Sequence, residues 1–148
     1  MKKILTQLFL ALAFFTSNAQ QINFVEYDLE NGLHVILHQD NSAPVVSATL
    51  QFHVGSKDED DGLKGFAHLF EHMLGKETKN MDSGQWGKIY SARGGSGNAS
   101  TSVDLTNYYV TVPSNSLKLA LWRYSEIMLH PIIEQETIDI QRLSLIHI

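Results

Sequence analysis

The sequence contains no cysteine in its 148 residues, so neither a disulfide framework nor a thiolate metal site can form. It also lacks an excess of positive charge. Eleven lysines and arginines stand against 16 aspartates and glutamates, which gives a formal net charge of −5. That balance argues against nucleic acid as a partner, because nucleic-acid-binding domains carry a basic surface.

A long apolar run is missing as well. The run ILTQLFLALAFF, which follows Lys2 and Lys3, is shorter than the roughly 20 residues that a membrane span needs. The basic start, the short apolar core and the small residues Ser17 and Ala19 predict a secretory signal peptide over residues 1–19, cleaved after Ala19. An N-terminal membrane anchor is the alternative. The signal peptide predicts a periplasmic or secreted protein.

The length suffices for one globular core but not for two large domains. The turn pair Asn31-Gly32 between alternating apolar residues predicts a β-hairpin. The later patterns predict a strand over 45–55, helices over 65–76 and 83–95, strands within 98–113, and helices over 114–131 and 134–142. This order predicts an α+β fold, a largely antiparallel sheet with helices packed on one side.

Periodicity also predicts which side chains face the core. Alternation along the strand predicted over 45–55 places one set of side chains on the same face: Val46, Ala48, Leu50, Phe52 and Val54. Helical spacing assigns one face to Leu117, Ala120, Leu121, Tyr124, Ile127 and Met128. Packing positions are expected for Trp86, Trp122 and Tyr124, and a helix end for His130. Surface or packing positions, rather than metal ligation, are expected for His34, His38 and His53. The acidic run Asp58–Asp61 is expected to be a solvated loop that caps the following helix.

The stretch GFAHLFEHMLGK, residues 65–76, places His68, Glu71 and His72 within five positions of an apolar segment. On an α-helix, His68 and His72 lie about 40° apart and one turn above the other, and all three side chains fit within an arc of roughly 100°. Two imidazoles one turn apart can bind one zinc ion. The spacing is that of the inverted zinc motif H-x-x-E-H.

These residue types suit hydrolysis at a metal centre. Because imidazole is a neutral ligand, the zinc ion keeps its positive charge, and the pKa of a bound water falls to about 7. Glu71 can then act as general base, taking the proton of the water and returning it to the leaving amine. The alternative is that His68 and His72 are polar residues on an exposed helix face. The neighbouring apolar residues argue for burial instead: Phe66, Leu69, Phe70, Met73 and Leu74.

The surroundings of the motif carry a family resemblance. An N-G-L hairpin, a strand ending in V-G-S, an acidic glycine loop, HLFEH and then GGSGNAST follow one another along the chain. From Val25 to Arg142 this combination resembles the insulinase–pitrilysin family of zinc metallopeptidases. The resemblance implies an insulinase-like α+β domain with zinc as cofactor, His68 and His72 as metal ligands, and Glu71 as the catalytic base.

The resemblance also implies a substrate-binding edge. Asn98, Ala99 and Ser100 would form the edge strand to which a peptide substrate adds by backbone hydrogen bonds. A plain turn residue after Gly97 is the alternative for Asn98. Family members arrange several copies of this domain as two halves around a peptide, so a paired homologous domain or a partner subunit is expected to complete the chamber.

The chain departs from the family pattern at its end. The third ligand of the family, a glutamate, would fall near position 147, where the sequence instead reads LSLIHI. These six letters are the translation of a sequencing-library adapter, so we expect residues 143–148 to be artefactual and residues 20–142 to be a partial N-terminal peptidase domain. His147 is a candidate substitute ligand with no supporting pattern around it. Two ligands alone predict that this polypeptide is itself inactive.

The predicted function of the parent protein is that of a zinc-dependent metalloendopeptidase acting on peptides or small unfolded proteins. One alternative is a non-catalytic partner subunit that binds or positions peptide for an active paralogue. Another is a non-peptidase hydrolase or lyase with the same inverted motif, against which the signal peptide argues. Manganese and cobalt remain alternatives to zinc for such ligands.

Overall fold

The structure is a computed structural model that describes residues 21–146. The predicted signal peptide, residues 1–19, and residues 147–148 lie outside the described part. The chain divides into two compact units, residues 1–43 and residues 44–148. Within the described residues, no helix is both long enough and apolar enough to span a lipid bilayer.

The first unit contains a β-hairpin. Strands β1 (Val25–Asp28) and β2 (His34–Leu37) pair antiparallel. The turn between them contains Gly32 at φ 84, a left-handed conformation that favours glycine, and the Gly32 amide donates to the Leu29 carbonyl oxygen at 2.9 Å. The Asn31 side chain accepts the Leu33 amide at 3.2 Å. The hairpin predicted from the Asn-Gly pair is confirmed.

The second unit is built on a three-stranded antiparallel sheet. Its strands are β3 (Val45–Phe52), β4 (Ser96–Thr101) and β5 (Thr106–Pro113), in the order β3-β5-β4. Along β5 the side chains alternate between buried and exposed, with Tyr108, Val110 and Val112 on the buried face. Because the described residues cover only one face of this sheet, the predicted α+β architecture with helices on one side is confirmed.

Four α-helices within residues 21–146 accompany this sheet. They are α1 (Phe66–Leu74), α2 (Gln85–Ala92), α3 (Leu117–Leu129) and α4 (Gln135–Ile146), with short 3₁₀ helices at Ser56–Asp58 and Ser114–Ser116. The core cluster consists of Leu50, Met81, Trp86, Tyr90, Tyr108, Val110, Val112, Ala120, Tyr124 and Ile127. The Tyr124 hydroxyl donates to the Ala48 carbonyl oxygen at 2.6 Å, which ties α3 to the sheet.

The predicted faces of the two periodic segments are only partly right. Strand β3 ends at Phe52, and Val54 lies beyond it in an exposed position. Helix α3 buries the narrow stripe of Ala120, Tyr124 and Ile127, whereas Leu121 is 55% exposed and Met128 is also exposed. Spacing alone gives the direction of a helical face, and the surface that packs against it determines its width.

The expected packing and surface positions are otherwise found. Trp86 is buried, and its ring centroid lies 5.2 Å from that of the more exposed Trp122. His34, His38 and His53 are exposed. His130 is the C-cap of α3, as predicted, and its amide donates to the Glu126 carbonyl oxygen at 2.9 Å.

Candidate metal centre

The start of helix α1 is fixed by the acidic loop that precedes it. Glu59 accepts the backbone amides of Gly65 and Ala67, each at 2.9 Å. The amide of Ala67, followed by that of Gly65, holds the pKa of the Glu59 carboxyl below its usual value. The N-cap residue Gly65 has φ 87, so glycine meets a steric requirement there. The predicted capping by this loop is confirmed, and Glu59 is the capping residue.

The three motif side chains converge on the surface of α1. The metal-binding atoms of His68, Glu71 and His72 all lie within 4.8 Å of one another. The two imidazole ring centroids are 4.9 Å apart, with the ring planes at 74°. This clustering follows from the spacing of the motif on a helix, as the sequence predicts.

The burial of α1 differs from the prediction. Phe66, His68 and Phe70 are exposed, whereas Glu71 is only 8% exposed and His72 is half-buried. The apolar residues of the helix therefore do not enclose it on all sides. In the described structure α1 contacts β4, β5, α4 and the 3₁₀ helix at Ser56–Asp58, and the side chains turned away from these elements are accessible.

Two residues from the sheet position Glu71. The Thr101 hydroxyl donates to Glu71 Oε2 at 2.6 Å, and the Tyr108 hydroxyl donates to the Glu71 carbonyl oxygen at 3.0 Å. Burial raises the pKa of Tyr108 well above its usual value, so its hydroxyl stays protonated as a donor. Thr101 thus engages Oε2 and leaves Oε1 without a hydrogen bond to the described residues.

A residue of α4 orients His72. Nδ1 of His72 lies 3.1 Å from Oε1 of Gln141, which is 5% exposed. An amide oxygen can only accept, so the assigned bond puts the proton on Nδ1 and leaves Nε2 free for a metal. Sequence reasoning missed Gln141 and Thr101. Alternation along the strand places Thr101 on the same face as Ala99, two positions earlier, and this could have identified Thr101. Nothing in the sequence marks Gln141.

The donor set fits a divalent metal in part. The two imidazoles are ligands that zinc accepts, but a catalytic zinc needs three protein ligands, and the carboxylate of Glu71 is assigned to the base. Among residues 21–146, no further histidine, aspartate or glutamate joins the cluster. The position near 147 where the third ligand was expected lies outside the described part of the chain, as does His147.

The predicted substrate-binding residues lie on an edge strand. Within the described sheet β4 pairs with β5 alone, and Asn98 stands opposite Tyr109 in that ladder. Asn98 is therefore a strand residue, which contradicts the alternative of a plain turn. The Asn98 side chain accepts the amide of Ala99 at 2.9 Å. A peptide strand that used this amide would compete with the Asn98 side chain for it.

A cavity of about 280 Å³ joins this edge to the motif. Its lining includes Glu71, His72, Asn98, Ala99, Arg123 and Gln141. The structure therefore brings two of the three predicted substrate residues together with the glutamate and one histidine. Ser100 and His68 do not belong to this lining.

The fold and the cluster together define an α+β domain with an inverted zinc-binding motif on a helix beside an antiparallel sheet. The family described as Insulinase (Peptidase family M16) matches residues 34–147. The chain belongs to this family.

Named relatives agree with the assignment. The chain is 38% identical over 101 residues to the zinc protease PqqE of Helicobacter pylori, covering 68% of this chain and 23% of that protein. It is 34% identical over 113 residues to human insulin-degrading enzyme, covering 76% and 11%. The chain thus spans about a quarter or less of the curated relatives that it matches.

Solved structures show the same fold. The crystal structure of a protease from Helicobacter pylori superposes with a TM-score of 0.80 at 30% identity, covering 84% of this chain and 30% of that one. The crystal structure of pitrilysin gives a TM-score of 0.77 at 26% identity, covering 87% and 14%.

Proposed function

We propose that this chain carries the catalytic motif of a zinc-dependent metalloendopeptidase that hydrolyses peptides or small unfolded proteins. The observation that carries the proposal is the convergence of His68, Glu71 and His72, with Glu71 held by Thr101. Family membership and the zinc proteases among the relatives support it.

Each residue has a separate role in this proposal. His68 and His72 would hold the zinc ion, which when bound would supply Lewis-acid chemistry to the scissile carbonyl and to water. Glu71 takes a proton from the attacking water at Oε1 and delivers it to the leaving amide nitrogen. Thr101 keeps the carboxylate aimed by its bond to Oε2. The edge of β4 at Asn98, Ala99 and Ser100 aligns the peptide by backbone hydrogen bonds.

We further propose that the 148-residue chain binds zinc weakly and does not hydrolyse peptides, because it would supply two ligands where catalysis needs three. The relatives support a longer parent protein, since the chain matches only a small part of each. In that parent, a third ligand and a paired homologous domain would complete the centre and the chamber around it.

The test uses both the chain and the longer gene product. Zinc content is measured by elemental analysis, and cleavage is assayed on an unstructured peptide. We expect hydrolysis by the longer protein alone, abolished in Glu71→Gln and unchanged in Glu136→Gln, an exposed glutamate of α4. Hydrolysis that survives Glu71→Gln would refute the assignment of the base.

The same experiment addresses the partner-subunit alternative. The intact motif favours the enzyme, whereas a longer gene product that lacks a third protein ligand would favour the subunit, since a positioning subunit has no need of a complete centre. A longer protein that lacks hydrolysis by itself, yet accelerates an active paralogue, would identify this second function.

We also propose that the protein acts in the periplasm or outside the cell. Support comes from the sequence of residues 1–19, with its basic start and short apolar core. N-terminal sequencing of the exported protein is expected to begin at Gln20. A Leu10→Arg change in the apolar core is expected to block export, and unaltered export of that variant would contradict the proposal.

A further inference from the structure

Two cavities meet at Glu71, and they differ in charge. The larger, of about 440 Å³, is lined by apolar residues together with Asp58, Glu59 and Asp60. The smaller, of about 280 Å³, contains Lys76 and Arg123 in its lining, and Glu71 is the only acidic residue that the described part of the chain contributes to it. Glu71 and Tyr108 line both cavities. The two sides of the proposed base therefore present opposite charges.

Arg123 is held in place by aromatic rings. Its guanidinium carbon lies 5.3 Å from the centroid of the Trp86 ring and 5.5 Å from that of Tyr90, distances typical of cation–π contacts. The residue is half-buried. Both aromatic partners belong to the buried core, so the position of the guanidinium is set by the fold.

Neither cation of the smaller cavity forms an ion pair with an acidic side chain of the described residues. Within residues 21–146, the ion pairs closer than 4.0 Å involve His34, Lys57, Lys64 and His130, and none includes Lys76 or Arg123. Removing a guanidinium from water without a counter-charge is unfavourable. An anion that enters the cavity would supply that counter-charge.

Gly75 lies beside the guanidinium of Arg123 in the wall of the cavity. A Cβ atom at this position would lie 3.7 Å from Arg123 Nη2 and 3.5 Å from Tyr108 Cε1. Gly75 itself lines the cavity and follows His72 by three positions along the chain. A side chain at residue 75 would therefore contact the guanidinium and occupy part of the cavity.

We propose that the smaller cavity is an anion subsite, in which Arg123 and Lys76 bind the acidic side chain of a substrate residue adjacent to the scissile bond. This proposal deepens the proposed function. It rests on that function because the bound acidic side chain is taken to belong to a peptide substrate. The bidentate geometry of a guanidinium suits a carboxylate. The acidic lining of the larger cavity excludes the same side chain from the other side of Glu71.

The test compares two blocked pentapeptides, acetyl-AAEAA-amide and acetyl-AAQAA-amide, which differ only in one side-chain charge. Binding to the 148-residue chain is followed by NMR, using the amides of Gly75 and Gly97 as reporters of the cavity. The titration is made without zinc, so that carboxylate coordination to a metal cannot create a preference. We expect the glutamate peptide to bind about tenfold more tightly or better, as charge-assisted hydrogen bonds predict.

Variants separate charge from structure. Arg123→Met and Lys76→Gln are each expected to reduce the preference, Arg123→Lys to retain much of it, and Lys79→Gln, an exposed lysine outside the lining, to leave it unchanged. Lys76 is not part of the buried core, so its variant is informative even where Arg123→Met fails to fold.

The outcomes distinguish this inference from the proposed function. Equal binding of the two peptides, or a preference that persists in Lys76→Gln and Arg123→Met, overturns the subsite. Hydrolysis by the longer protein without a preference for acidic residues beside the cleaved bond also overturns it and leaves the peptidase intact. A preference in binding with no hydrolysis supports the subsite and counts against the peptidase.

Discussion

The two halves of helix α1 each carry one histidine of the motif, and their surroundings differ. In the first half, residues 66–70, Phe66, His68 and Phe70 are exposed. In the second half, residues 71–74, Glu71 and Met73 are buried and His72 is half-buried. His72 is oriented by Gln141, whereas His68 makes no side-chain hydrogen bond to the described residues. The two histidines of the motif are thus equivalent in the sequence but not in the described structure, where His72 is held in orientation and His68 is not.

The difference has a consequence for assembly of the centre. The second half is fixed by tertiary contacts through Thr101, Tyr108 and Gln141. The first half depends on the local cap formed by Glu59. Changes in the second half are therefore expected to act on stability and on metal binding together, and changes in the first half on the start of the helix.

The largest expected effect concerns packing. Met73→Ala is expected to lower the free energy of unfolding by about 2–5 kcal/mol, because Met73 is 2% exposed and its truncation leaves a cavity. Phe70→Ala is expected to cost less, about 1–2 kcal/mol, although phenylalanine is the larger side chain, because Phe70 is 39% exposed. Urea unfolding measures both. An equal or larger loss in Phe70→Ala would show that the first half is covered after all.

The next effect concerns the carboxylate of Glu71. Thr101→Val removes the donor to Oε2 and leaves a buried oxygen without its partner, which is expected to destabilise the fold by about 1–3 kcal/mol. Thr111→Val is the matched control in the neighbouring strand. Its hydroxyl lies 2.8 Å from that of Ser47 on the exposed face, and surface substitutions usually change stability by less than about 0.5 kcal/mol. Similar losses in the two variants would contradict the special role of Thr101.

These contacts mark the limit of what the sequence could predict. The clustering of His68, Glu71 and His72 follows from spacings of three and four residues on a helix, and the hairpin follows from Asn31-Gly32, so both were predictable from local rules. The bonds to Thr101, Tyr108 and Gln141 join residues 30, 37 and 69 positions apart. No periodicity reports on such pairs, because they depend on how separate elements pack.

The same reason explains the errors in burial. The apolar residues Phe66 and Phe70 suggested an enclosed helix, and Leu121 and Met128 suggested a wide buried face, yet all four are exposed in the described structure. Hydropathy predicts a preference for burial, and whether a neighbouring element covers the residue is decided by the tertiary arrangement.

A smaller effect is expected for the orientation of His72. Gln141→Ala should weaken binding of Co²⁺ or Zn²⁺ about 10–100-fold, because the bond to Nδ1 fixes the ring and its tautomer. Gln135→Ala on the same helix is the control, since Gln135 is exposed and pairs with Asp139. Metal titration measures the affinity, and ¹⁵N shifts of the His72 ring measure the tautomer. An unchanged tautomer in Gln141→Ala would show that the contact does not position the ring.

The smallest expected effect concerns the cap on the first half of α1. The folded pKa of Glu59 is lowered by the amides of Ala67 and Gly65, so its stabilising contribution is complete above the unfolded value of 4.5 and is lost as the pH falls through the folded pKa. We therefore expect Glu59→Gln to be less stable than the wild type at pH 7 and to approach it at pH 3. The difference between their urea midpoints isolates Glu59 from the other carboxylates, which titrate in both proteins. This difference becomes smaller with falling pH only if the charged form of Glu59 is the one that accepts the two amide hydrogen bonds. A difference between the urea midpoints that stays constant from pH 7 to pH 3 would mean that the neutral acid caps the helix equally well. The start of α1 would then be determined by Gly65 alone.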